Sequence, residues 1–594
     1  MSKKRYPAER NVILAAFFCA LALSPAGAQN PGSMALTGQV TSQEEGPMEG
    51  VLVSAKAART NITITVVSDE KGRYSFPRAR LKPGQYALIV KAAGYEIASP
   101  RAVTGVPSRA AQLDPDQHTA PMSVPAGVAA NRTAQLDLKL TKAPDLASQL
   151  SKADWLISFP GSLEQKRLAM GCGDCHSLER VAKSKYDAAA FLDVIKRMRT
   201  YTNGSGPSRP IKRVEVNDGV GSGPREPERP EAAQELAQYL STLNLSSVSH
   251  WKYPLWTLPR PRGEATRVVY TEYDLPRPET QPHDAIPDSD GMVWYSDFSS
   301  LYLGMLNPRT GEVKEWRIPE VKPGVTPAGS LSLSFDKEGN VWVGSLFQGA
   351  IYRFDKKTET FNSWSAPREY NNSQVRTSMV APQNSHVDGK VWFSNNLANK
   401  RIHRLDLATG QIETFDPYGE SRREHSVYCI ASDPMNNLIF CDYVGSGIGE
   451  INAKTGKISR YPTPSPGAWP RRGSLDSQGR FWFGESAVNR IGMFDTKTKE
   501  FLEWRMVNPW TDPYDAMLDR NGDVWTGGMV TDRVIRLTPS TEIQFTTALG
   551  KRVEYLLPRP TQIRRVFVDS SATPVAFWAG SNLGASIVKL EPLE

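Results

Sequence analysis

The chain has 594 residues, 40% of them apolar and 23% charged, with 45 Gly and 44 Pro. At about 100 to 200 residues per domain this exceeds one core, and the composition excludes a disordered, collagenous or polytopic membrane chain. The net charge of +8 shrinks to 67 basic against 62 acidic residues once the first 28 are set aside; with no Lys/Arg-rich run or recognition helix, nucleic acid is excluded as a partner.

Residues 1–28 read as an export signal. A basic start at Lys3, Lys4 and Arg5 precedes an apolar run from Val12 to Leu23, and Ala26-Gly27-Ala28 stands before Gln29. That run is too short to span a bilayer and no later one approaches the required length, so the expected location is periplasmic, with no transmembrane segment after cleavage.

From 35 to 144 apolar and polar residues alternate with period two, as in Val51-Leu52-Val53-Ser54-Ala55 and Tyr86-Ala87-Leu88-Ile89-Val90. Turn signals fall between, in Ser68 to Gly72 and Lys82 to Gln85, and a small β-sandwich follows. The stretch from Pro100 to Asn131 reads as a long loop before a last strand, Ala134 to Leu140. Gly38-Gln39-Val40, Asp69 to Phe76, Leu81 to Tyr86 and Ala93-Gly94-Tyr95 resemble the carboxypeptidase regulatory-like domains, which have a carbohydrate-binding-like fold. The resemblance implies a fold and no catalysis.

From 145 to 250 the period changes. Ala189, Phe191, Leu192, Ile195 and Met198, then Ala233, Leu236, Leu240 and Leu243, mark amphipathic helices around a Gly/Pro-rich loop from Asn203 to Pro230. Among these helices lies Cys172-Gly173-Asp174-Cys175-His176. C-x-x-C-H is the attachment sequence of c-type haem: two thiols one turn apart reach the vinyl groups of one porphyrin edge, and the adjacent His turns onto the iron. A redox dithiol or a zinc half-site would want a context that is missing here. The segment looks like a short class I cytochrome c domain, with His176 as proximal ligand. Met198 is expected as the distal ligand, because residues 203 to 230 hold no Met or His; Met170, His250 and water are the alternatives.

From 251 to 594 one unit recurs: a strand, Asp-x-x-Gly-x, Val-Trp, then Ile-Gly and a Thr-Gly turn. Its copies anchor at Trp294, Trp342, Trp392, Ile439, Trp482, Trp525 and Trp578, at steps of 48, 50, 47, 43, 43 and 53. Seven units of this size predict a seven-bladed β-propeller, with strand Arg267 to Leu275 closing the ring beside the last blade. Phe481-Trp482-Phe483-Gly484-Glu485-Ser486 followed by Asn489 to Gly492 resembles the streptogramin (virginiamycin B) lyases. The resemblance implies a catalytic His fourteen residues before a glutamate that helps to hold Mg²⁺. Glu485 fills the second position, but Arg471 stands in the first, and a guanidinium cannot act as a general base. His283 and Asp297 have the same spacing in the first blade and form a displaced candidate pair. The polar residue after each anchor reads Asp297, Ser345, Asn395, Asp442, Glu485, Gly528 and Ser581, which suggests a carboxylate-lined mouth.

The fold class expected is therefore multidomain and mainly β: a sandwich, an α-helical cytochrome c domain and a seven-bladed propeller. The leading expectation for function is electron transfer through one covalent haem c, with an exported dehydrogenase or oxidase as redox partner and the other domains as recognition modules for a glycan or small molecule. The alternatives are a virginiamycin B lyase-like C–O lyase or lactonase with an appended haem, and an envelope glycan-binding or haem-sensor protein. Cys429 and Cys441 flank the turn Asp433 to Asn437 and face one another on neighbouring strands, as a disulfide or as two buried thiols.

Overall fold

The computed structural model describes residues 34–98, 123–201, 205–206, 209–212, 230–246, 248, 250–324, 328–371, 376–396, 400–419, 421, 424–544 and 547–593. The expected export signal and most of the loop from 203 to 230 lie outside these residues. Among the described residues no helix is long and apolar enough to cross a membrane.

In the sandwich, strand Met34–Ser42 pairs with Arg73–Pro77 and Gly46–Pro47 antiparallel and with Leu138–Lys142 in parallel. The facing sheet runs Ile62–Val67, Leu52–Ala57, Gly84–Lys91, Ser123–Val128. Alternating side chains supply the core between them: Val40, Val51, Val53, Tyr74, Phe76, Leu88, Leu138 and Leu140. Ser123–Val128 falls inside the stretch expected to be loop. It lies at the edge of its sheet, the position where Pro125, which has no N–H to donate, is tolerated.

Five α-helices, Lys152–Ser158, Leu163–Met170, Glu179–Ala182, Ala188–Met198 and Pro230–Leu243, follow among the described residues. Ser151 and Ser162 open the first two with capping boxes completed by Asp154 and Gln165, and Asp187 caps the fourth. Their apolar faces meet at Trp155, Leu156, Phe159, Phe191, Ile195, Leu240 and Leu243. That core does not stop at the helices: Trp510, Tyr514, Met529 and Val530 of the propeller belong to it. The Ala153 amide donates to the Val530 carbonyl (3.0 Å) and the Arg167 guanidinium to the Ala487 carbonyl (2.9 Å), so the helices sit on one end of the propeller.

Six four-stranded antiparallel sheets run from Pro282–Pro287 to Thr547–Leu556, and the seventh is Phe567–Asp569, Ala576–Ser581, Ser586–Pro592 and Val268–Asp274. The early strand thus closes the ring as expected, pairing with Ser586–Pro592 along its whole length. Each anchor residue lies on the second strand of its blade. The repeat has a physical cause. In four blades the Asp of the turn takes one or two backbone amides on one oxygen and the anchor indole on the other: Trp294 to Asp288 (2.8 Å), Trp342 to Asp336 (2.8 Å), Trp482 to Asp476 (3.0 Å) and Trp525 to Asp519 (2.8 Å). Trp392, whose blade has no such Asp, donates to the Asn436 carbonyl of the next blade (2.9 Å).

Strand Val268–Asp274 has a second partner. Its other edge pairs with Ile62–Val67 of the sandwich, from Val269 opposite Val66 to Tyr273 opposite Ile62, so blade seven and one sandwich sheet form a single eight-stranded sheet.

Candidate functional site

The inner strands of the blades are interrupted at the helix-covered end. In four blades two residues oppose one across the first hairpin: His283-Asp284, Leu331-Ser332, Tyr428-Cys429 and Arg471-Arg472. Such bulges re-aim side chains. In blade six, Tyr514 and Asp515 lie between the Pro513–Gly528 bridge and the resumed pairing at Met517. Arg564 and Arg565 occupy the corresponding approach to blade seven. The first residues of these pairs form an upper ring and the second residues a lower one.

The lower ring is closed by ion pairs. Asp284 receives two guanidinium hydrogen bonds from Arg472 (2.6 and 3.1 Å), the Leu333 amide (2.9 Å) and the His283 Nδ1–H (2.7 Å), while Arg565 bridges Asp515 (3.2 Å) and Asp284 (3.8 Å). Burial alone would raise the Asp284 carboxyl, but Arg472, the His283 bond and Arg565 outweigh it and hold the group well below the usual range.

The upper ring is less evenly matched. His283 packs flat on Phe298 (5.3 Å), and its Nε2 meets the Tyr514 hydroxyl (3.3 Å), which is hydrogen-bonded to the Tyr428 hydroxyl. Because Asp284 accepts from Nδ1, Nε2 is the acceptor. Burial first, then Arg472 and Arg564, pushes His283 down to about 4, so the ring is neutral at pH 7. Arg471 lies over the rings of Tyr443 (5.6 Å) and Tyr514 (5.2 Å), with Asp512 4.0 Å away; Arg564 covers Phe298 (4.5 Å). The buried Nε of each of these two arginines has no acceptor. A cation-rich, aromatic mouth with a Tyr428–Tyr514–His283–Asp284 chain leading inward is what this geometry provides.

The polar positions expected to line the mouth lie one strand further out and are buried. Asp297 is taken by Arg277 (2.6 Å) and the amides of Gln281 and Ser299, and it makes no hydrogen bond to His283. Neither carboxyl oxygen of Glu485 receives a donor; burial, then the Glu503 carboxylate, pushes its pKa well above the usual range. Among the described residues no three His, Cys, Asp or Glu side chains gather to hold a metal ion. Glu503 is the one neighbouring carboxylate that acts on Glu485, and it is already paired with Arg490 (2.5 Å) and the Ser465 hydroxyl, so these residues do not fit the Mg²⁺ site that the resemblance implies. Cys429, the second residue of its bulge, is disulfide-bonded to Cys441, the single residue opposite, at a Cα separation of 5.1 Å.

Cys172 and Cys175 form no disulfide and lie on a turn that begins with the 3₁₀ segment Gly171–Gly173. Cys172 packs against the core shared with the propeller, and burial pushes its thiol up to about 11. Asp174 between them contacts Lys152 (3.2 Å) and Gln562 of blade seven (3.1 Å), so this turn faces the mouth. The His176 Nδ1 lies 2.9 Å from the Ser177 carbonyl. Met198 ends its helix 40% exposed, and His250 is exposed.

The virginiamycin B lyase family model matches residues 324–554, and the carboxypeptidase regulatory-like domain model matches residues 35–116. The chain is similar to the solved virginiamycin B lyase of Staphylococcus aureus at 19% identity, covering 55% of this chain and all of that one, with a TM-score of 0.45. It is similar to a streptogramin B lyase at 22%, covering 55% and 99%, TM-score 0.45, and to the WD40 repeats of RRP9 at 10%, covering 54% and 97%, TM-score 0.42. No curated protein matches the chain.

The expectation of an electron-transfer cytochrome is corrected by these findings. The family matches fall on the propeller and the sandwich, nothing in the comparisons supports a cytochrome c domain over 145–250, and the assembled polar chemistry belongs to the propeller mouth. The physical reason is that C-x-x-C-H specifies a local spacing only, whereas here its turn serves as part of the lid packed on that mouth. The chain is a multidomain, mainly β protein with a carboxypeptidase regulatory-like domain and a virginiamycin B lyase-like propeller.

Proposed function

We propose that the helix-covered propeller mouth is a C–O lyase site for a ligand carrying an anionic group. One observation carries the reading: the hydroxyls of Tyr428 and Tyr514 connect the mouth to a neutral imidazole backed by Asp284. The lyase family match over 324–554 supports the reaction class. In this reading Arg471 and Arg564 hold the ligand's negative charge through their unpaired Nε–H donors. Tyr428, half-buried at the mouth, takes the proton from the carbon beside a carbonyl while its own proton passes to Tyr514, and the Tyr514 proton passes to His283 Nε2. The C–O bond then breaks, the oxygen departs with the electron pair, and Asp284 stabilises the imidazolium. Export, inferred from residues 1–28, would place the reaction in the periplasm. A haem on Cys172 and Cys175 would be an addition beside this site and takes no part in the steps above; the mass of the chain produced with a haem-attachment system reads it directly.

The test is mass spectrometry on lactones and acyloxy-carbonyl compounds with and without a carboxylate, with virginiamycin B as reference. Elimination opens a lactone without a change in mass; hydrolysis adds one water. We expect unchanged mass, better turnover of the carboxylate-bearing substrates, and a loss of about 100-fold or more in kcat for Tyr514→Phe, with KM raised chiefly by Arg471→Gln. No turnover of any member, or a Tyr514→Phe variant as fast as the parent, would overturn the proposal.

A further inference from the structure

At the rim, outside the upper ring, a second arrangement is unused by the steps above. The exposed Ser421 Oγ lies 2.8 Å from His425 Nε2, and His425 Nδ1 lies 2.6 Å from Asp442 Oδ2. Asp442 ends the second strand of blade four, Leu438–Asp442, and its other oxygen accepts the amides of Ser426 (3.2 Å) and Gly445 (3.1 Å). With the carboxylate held by backbone, it accepts from Nδ1–H and leaves Nε2 as the acceptor for the serine O–H. Tyr418 stacks on the imidazole, rings 4.4 Å apart and 9° from parallel, which fixes its tilt. Gly445 makes the approach feasible: a Cβ there would stand 2.1 Å from Asp442 Oδ2 and 2.4 Å from His425 Nδ1. The neighbouring Tyr443 amide donates to the Ser426 carbonyl (2.8 Å), tying the loop to the aromatic wall of the mouth.

We propose that Ser421 is a nucleophile for acyl transfer, with His425 as its general base and Asp442 as the group that orients His425. The substrates are carboxylic esters. The Ser421 Oγ bonds to the ester carbonyl carbon as its proton moves to His425 Nε2; the C–O bond to the alcohol breaks and the alcohol leaves with that proton; water then cleaves the acyl-serine by the same route. Chains of this kind are recognised by geometry and role, and the pair of hydrogen bonds plus an exposed serine supplies both. The proposal does not rest on the lyase reading.

The experiment treats the purified full chain with a fluorophosphonate, which forms an Oγ–P bond and expels fluoride, and maps the adduct by peptide mass spectrometry. The label is expected on Ser421, absent from Ser421→Ala, and formed at least ~100-fold more slowly in His425→Gln. Asp442→Asn should slow it as well, and a p-nitrophenyl ester should show a burst equal to the labelled fraction. Absence of label on the parent chain, label on another residue, or unchanged labelling in His425→Gln would overturn the proposal. Ser421 is exposed, so Ser421→Ala should keep the parent's circular dichroism and melting temperature. Because adduct formation needs no turnover at the mouth, failure here and failure of elimination chemistry are read separately.

Discussion

The two ends of each blade obey different rules. At the outer end an Asp turn and an anchor indole repeat with the same partners in four of the seven blades, whereas at the helix-covered end each bulge carries its own pair of side chains. Contacts that repeat hold the ring; contacts that do not repeat make up the proposed site. The lower ring belongs with the first group in energetics although it lies at the second end, because its charges are all matched.

Removing one of those charges should be the most damaging change. Asp284→Ala leaves Arg472, Arg565 and His283 without their common anion, and should cost about 3–5 kcal/mol in denaturant unfolding; a loss below 1 kcal/mol would dissolve the distinction between a structural lower ring and a functional upper one. Next comes pH. His283 is held at about 4 against about 6.5 unfolded, so the unfolded chain binds its proton first, and the stability this residue contributes is complete above about pH 6.5 and lost as pH falls toward 4. The loss should reach about 3 kcal/mol, read as the difference between the parent chain and His283→Gln across that window. At the outer end, Asp519→Ala strands the buried Trp525 N–H and two turn amides and should cost about 2 kcal/mol. The smallest effect has the opposite sign. Burial and the Glu503 carboxylate disfavour the charged form of Glu485, a cost that grows as pH rises above its unfolded value; Glu485→Gln should therefore stabilise the chain in denaturant unfolding, more at pH 7 than at pH 4.

The same contrast explains what the sequence made legible. The anchors from Trp294 to Trp578 and the closing strand were readable because every anchor holds the same place on the second strand of its blade and four of them share the Asp–indole clasp, and the helices around Phe191 and Leu240 because their apolar period is local. The mouth was not. Its residues stand out only as the dipeptides His283-Asp284, Arg471-Arg472 and Arg564-Arg565, and a bulge that turns them inward leaves no periodic trace. Reading the position after each anchor therefore found Asp297 and Glu485, which are buried one strand away from the opening, and missed Tyr428, Tyr514 and Arg564. Ser421 and His425 lay outside every repeat. Cys172, Cys175 and His176 were conspicuous for their spacing, but spacing carried no information about the surface that their turn would cover. Ser123–Val128 was hidden by its own Pro125, which an edge strand accepts.

The strand Val268–Asp274 also sets an order of assembly. As the chain is synthesised, Ile62–Val67 must wait with one row of amides bare until Val268–Asp274 emerges, and that strand in turn waits for Ser586–Pro592 at the far side of the ring. A nascent chain halted in the third or fourth blade would present one sticky strand to whatever else offers an edge. The sandwich shortens that exposure by occupying the other edge early, acting toward the unfinished ring as a covalently attached chaperone.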